Sequence, residues 1–168
     1  QKGVDLFTAK FTECLTAEFL RHNAVDQRFF EIFIEFESLV TSHCAASKVL
    51  LSCVRKAVSN AVKRIGTVAA DVAQLLSKLV TTGSGDAPTE KLLRVITEIT
   101  RLAVNCDDLA DECRALMVQR FTVASTVSTE RLAVETKFVH YLSKAFGAGK
   151  MYHLSLILRD IEETEKPQ

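Results

Sequence analysis

The sequence predicts an all-α fold, an elongated helical bundle of about seven to eight helices. Three observations predict it. Apolar residues recur at steps of three and four along nearly the whole chain of 168 residues. Proline is almost absent: Pro88 and Pro167 are the only two, and neither interrupts an apolar pattern. Four of the six glycines fall in two clusters, Gly83/Gly85 and Gly147/Gly149, which read as punctuation between helices. No alternating run is long enough for a sheet. Thr and Val are abundant, but packing of an apolar stripe overrides their slightly low helix propensity.

Taken in order, Val4, Phe7, Phe11, Leu15 and Phe19 step along one face of a first helix. Phe29, Phe33, Phe36 and Val40 do the same, followed by Leu50, Val54, Ala57, Ala61 and Ile65. A shorter helix fits Asp71 to Leu79, with Val72, Leu75, Leu76 and Leu79 inward. The stretch from Gly83 to Pro88 is the clearest linker. Beyond it come three stripes: Leu92, Ile96, Ile99 and Ala103; Leu109, Cys113, Leu116 and Arg120; Leu132, Glu135, Val139, Leu142 and Phe146. Asp107 and Asp108 can supply a cap and a negative first turn, Ser128 can cap the next helix, and Gly147 is a left-handed stop.

Composition excludes several classes of function. Hydrophobic residues make up 48% and charged residues 25%, which excludes a disordered tail. Lys plus Arg number 21 and Asp plus Glu also 21, a balance that argues against a dedicated nucleic-acid binder. The longest uncharged stretch, Ser38 to Ser47, is about half of a membrane span, and no secretory h-region opens the chain. The chain begins at Gln rather than Met, which predicts a piece excised from a longer protein. Cys14, Cys44, Cys53, Cys106 and Cys113 form an odd set without Cys-x-x-Cys spacing, as expected of buried, reduced thiols in a cytosolic or nuclear protein.

No motif for catalysis or cofactor binding emerges. Gly147-Ala148-Gly149-Lys150-Met151 contains Gly-x-Gly-Lys. A phosphate loop, however, needs a Gly where Lys144 stands, a Ser or Thr where Met151 stands, and a preceding strand. A di-iron bundle needs Glu-x-x-His pairs, which do not occur; Glu18 and His22, four apart, could share a face. His43 beside Cys44 cannot easily turn both side chains to one ion. There is no Gly-x-Ser-x-Gly elbow and no recognisable Cys-His or Ser-His-Asp set. No enzyme activity, metal or cofactor is expected.

One electrostatic feature stands apart. From Ser38 through Ala70 there is no acidic residue, while Lys48, Arg55, Lys56, Lys63 and Arg64 contribute five positive charges. Their spacing of about seven residues lines one side of a helix, opposite its apolar stripe. Two readings stand: a docking face for an acidic partner or a nucleic-acid backbone, or a solvated face offsetting Glu31, Glu35 and Glu37.

The second half of the chain resembles a known family. Asn105-Cys106-Asp107-Asp108-Leu109, followed by Met117-Val118-Gln119-Arg120-Phe121, resembles the Asp-Lys-Asp-x-Phe start and Leu-Ala-x-Arg-Leu end of a cullin helix, at the same spacing. Ser128-Thr129-Glu130, Glu135 and Phe138, Val139 and Leu142 leading to Gly147 are similar to the cullin stretch that follows. Leu154, Ile157 and Arg159-Asp160-Ile161 fall at the spacing of its Lys-Leu-x-x-Met-x-x-Asp-Ile segment. Val72 to Val80 resembles the helix reading Leu-Leu-x-x-x-x-Asp-x-Leu-Leu. The likeness runs from about Asp71 to Glu162; before it, Phe11, Leu15, Phe19, Phe29 and Phe30 fit only with an insertion at His22 to Val25.

The resemblance implies a non-catalytic scaffold: the middle segment of a cullin, with cullin-repeat-like helices over 1–80, a linker at 81–88 and the helical bundle over 89–168, all packed as one unit. Cullins space a substrate adaptor from a RING-finger subunit and its conjugating enzyme. Thr81 and Thr82 stand where the family often has basic residues for an acidic tail of that enzyme, and Gln119 replaces the usual Lys. The resemblance is thus to a divergent cullin or the cullin-like subunit of the anaphase-promoting complex. An unrelated helical tether or adaptor suits the amphipathic stripes equally well.

Overall fold

In the computed structural model five of the eight helices of the described residues, the second, third, fifth, sixth and seventh in chain order, start at a side-chain cap. The structure describes residues 2–21, 23–45, 47–83, 85–124 and 127–165; His22 and Ser84 lie outside the described residues. Among the described residues there are eight helices and no strand: α1 (Lys2–Leu20), α2 (Gln27–His43), α3 (Lys48–Arg64), α4 (Val68–Thr82), α5 (Ala87–Ala103), α6 (Cys106–Val123), α7 (Thr129–Phe146) and α8 (Tyr152–Glu165).

The Asp26 side chain accepts from the Phe29 amide at 3.0 Å to start α2, and Asp86 accepts from Thr89 at 2.8 Å to start α5, with Pro88 in the first turn. Ser128 caps α7 by accepting from Arg131 at 3.1 Å. The cap of α6 is Asn105, which accepts from the Asp107 amide at 2.8 Å. Asp107 and Asp108 occupy the first turn instead, where their charge faces the helix dipole. The fourth helix begins three residues before the expected Asp71 and ends three after Leu79. At Gly83 a Cβ would run into the Leu79 carbonyl. At Gly147 φ is 104°, a conformation that glycine adopts without penalty.

Thr81 and Thr82 close α4 and Ala87 and Pro88 open α5, so the break is shorter than the expected 81–88, and contacts cross it freely. α4 packs on α6 and α7, whereas α5 packs on α2, α3 and α7. The buried core is one cluster running from Leu15 to Leu158. Its largest members include Phe19, Phe29 and Phe30 at one end and Phe138, Met117 and Leu142 at the other. Each such side chain contributes about 1.5–3 kcal/mol relative to exposure.

Two expectations about burial need correction. On α1 only Leu15 and Phe19 of the expected stripe are buried, Phe11 is half-buried, and Val4 and Phe7 are each 57% exposed. α3 is the main neighbour of α1, so nothing covers the first turns of that stripe among the described residues. Of the cysteines, Cys53 and Cys113 are buried and Cys106 is partly so, but Cys14 and Cys44 are exposed; all five are free thiols.

Candidate functional site

The five cations singled out in the sequence all lie on α3 and all are exposed, but they do not share one face. Arg55 turns toward α2 and α5, where its guanidinium lies 3.9 Å from Glu37 and 3.8 Å from Glu98. Lys48, Lys56 and Arg64 instead border a groove between α3 and α1. Lys63, also exposed, is not part of that groove's lining. The spacing of seven suggested one row; the second wall of the groove comes from α1, some forty residues upstream, which no local pattern discloses.

The groove encloses about 970 Å³. Small side chains let the two helices approach closely: Ala9, Thr12 and Thr16 on α1, Ser52 and Cys53 on α3. Thr12, Thr16 and Cys53 are buried at its base, and the Cys53 thiol lies 3.9 Å from the Thr8 carbonyl. The α1 rim carries Asp5 and Glu13, the latter 3.7 Å from Lys10. Val4 and Val49 remain about half exposed along it.

A second constellation joins α4, α6 and α7. Arg120 donates through Nε and Nη2 to the two carboxylate oxygens of Glu135, the Nη2 contact being 2.8 Å, and through Nη1 to Ser77 Oγ at 2.7 Å. The guanidinium carbon also sits 5.5 Å from the centroid of the Phe138 ring. Glu135 is 1% exposed, so its side chain would be buried without a partner if Arg120 were removed. Nearby, burial pushes the Cys113 thiol up to about 12, against the opposing pull of Arg120. That thiol stays protonated and is the reverse of an activated nucleophile. Arg120 and Glu135 both occupied inward positions of apolar stripes, which was the sequence signal for a buried pair. Ser77 carried no such signal.

The Gly147–Met151 turn connects α7 to α8. Met151 is fully buried there and Lys150 reaches Asp107 at 3.2 Å, so the Gly-x-Gly-Lys run serves as a helix stop. Among the described residues no group of three or more His, Cys, Asp or Glu is placed to hold a metal ion, and no helix is long and apolar enough to cross a membrane. Compared with known protein families, curated proteins and solved structures, the chain matches none.

Proposed function

We propose that the chain is a rigid scaffold segment of the cullin type, spacing a substrate adaptor from a RING-finger subunit and its conjugating enzyme within a ubiquitin ligase of the cytoplasm or nucleus. The observation that carries this reading is the tie between Arg120 and Glu135. Both belong to the motifs that resemble a cullin, one ending its helix and the other beginning the next stretch. They meet in a two-pronged, largely buried pair that also holds Ser77 of α4. Motif residues that join three helices suit a spacer, and the cleft of about 380 Å³ that Arg120 and Glu135 also line, with Ser77, Glu130 and Arg131, leaves both of them engaged with each other. Leu109, Met117 and Leu142, from the same stretches, are fully buried.

The test is reconstitution. The gene product that carries this chain, tagged and purified, is expected to bring down a RING-finger subunit and to support ubiquitin transfer with it. The chain of 168 residues alone is expected to do neither, because a RING subunit that adds a strand to a sheet needs strand edges, and the described residues form helices alone. Failure of the gene product to bind any RING-finger subunit would overturn the cullin reading and leave a helical tether outside ubiquitin transfer.

A further inference from the structure

We propose that the groove between α1 and α3 docks an acidic amphipathic helix of a partner protein. Such an occupant goes beyond the scaffold role and is independent of whether the chain serves a ubiquitin ligase.

Shape comes first. The groove extends from Val4 and Lys48 at one end to Leu20 and Arg64 at the other, with the two helices side by side. At about 1.5 Å per residue that is roughly 25 Å, between four and five helical turns. Its base is made of small side chains with Val4 and Val49 beside them, so an inserted helix can seat one apolar face against two walls. Groove binding of this kind is read through residues spaced three and four apart on the occupant.

Charge then selects the occupant. The α3 rim carries Lys48, Lys56 and Arg64 at intervals of eight residues, with no acid between Ser38 and Ala70 to offset them. On the α1 rim Glu13 is paired with Lys10, which leaves Asp5 as the remaining acid. A helix with a row of Glu or Asp along one edge therefore meets three cations on one wall. A nucleic-acid backbone fits less well, because it carries charge on every side and would also face Asp5, whereas a helix can keep its acids on the edge toward α3.

Fluorescence anisotropy tests this with labelled peptides of about 18 residues, long enough to span the groove. One has Ala and Leu on the inner face and Glu along one edge; the other has Lys at each Glu position. The Glu peptide is expected to bind saturably and the Lys peptide roughly tenfold or more weakly. The double variant Lys56→Glu/Arg64→Glu should reverse that preference with an unchanged thermal melt. Ala17→Trp, which fills the groove from α1, should abolish binding of both. The proposal is overturned if the Glu peptide fails to bind below about 100 μM, if either variant binds it as the parent does, or if a duplex oligonucleotide binds more tightly. It is equally overturned if sedimentation shows a dimer that Ala17→Trp dissociates, since a second copy would then be the occupant.

Discussion

The α1–α3 end and the α4–α8 bundle are built from similar amphipathic helices but are held by different means. Phe19 anchors α1 against Phe29 and Phe36, with ring centroids 5.2 and 5.9 Å away, and toward its start the helix is accompanied by α3 alone among the described residues. Leu6 is 64% exposed there. In the bundle, each inward face meets at least two other helices, and polar ties supplement the apolar contacts: Arg120 with Glu135, and Thr97 with Tyr141 at 2.7 Å. An apolar stripe is thus a capacity for burial that is used only where enough neighbours surround it. The unused part of the α1 stripe runs beside the groove.

The sharpest way to break that comparison is to place a charge on each stripe. Leu142→Asp buries a carboxylate at a fully enclosed position and is expected to unfold the bundle, costing several kcal/mol out of a margin on the order of 5–15. Phe7→Asp, on the uncovered part of the α1 stripe, should change stability by about 0.5 kcal/mol or less. Similar melting temperatures for the two variants would show that the faces are wrongly assigned.

Glu135→Ala leaves Arg120 without its partner and is expected to cost about 2–4 kcal/mol, less than for a fully enclosed pair because the Arg120 side chain keeps 25% exposure. The double variant Arg120→Met/Glu135→Leu should recover most of that loss in urea titrations. A double variant as unstable as the single one would mean that the pair contributes more than mutual neutralisation.

Cys113 makes the bundle sensitive to alkali. Its thiol ionises at about 12 in the fold against 9.0 ordinarily, so stability is full below pH 9 and falls by about 1.4 kcal/mol per pH unit as pH rises toward 12. Cys113→Ala should flatten that slope. Alkylation should follow the same divide, with exposed Cys14 and Cys44 reacting first at pH 8 and Cys113 last. Labelling of native Cys113 as fast as Cys14 would contradict its enclosure.

Thr97→Val removes one side-chain hydrogen bond while Tyr141 keeps the Leu93 carbonyl within 3.4 Å, so a loss of about 1 kcal/mol is expected by chemical denaturation. The smallest effect belongs to Lys56→Glu, at an exposed groove position, where a shift within about 0.5 kcal/mol is expected in a thermal melt. A large loss there would mean that the α3 rim supports the fold rather than facing a partner.

Most of the fold was legible because its helices bury faces wide enough to leave a period. The expected inward set of α4 is buried throughout, as are Val54, Ala57, Ala61 and Ile65 of the next stripe upstream, while Phe36, Leu50, Ile99, Ala103, Leu132 and Phe146 are half-buried at the margins of theirs. Period alone does not report whether a neighbour arrives, which is why Val4 and Phe7 were placed inward. It is equally silent on caps one or two residues apart, so Asp107 stood in for Asn105. The candidate site was half legible. Lys48, Lys56 and Arg64 were visible as charge, but the groove they border exists only through the pairing of α1 with α3. Arg55 left the row because Glu37 and Glu98, on two other helices, lie on its side.

Met151, Leu154 and Leu158 are the buried points of the last segment, and beyond Leu158 the residues of α8 are exposed or nearly so. The helix is therefore a pointer clamped at one end. Its bearing is set by the Gly147 turn and by the packing of its buried residues on α6 and α7. From Met151 to Glu165 it reaches about 20 Å, so a tilt of about 10° at the clamp carries its tip roughly 4 Å. A component attached near Glu165 would inherit that direction, and small repacking around Met151 would re-aim it without altering a single contact at the tip.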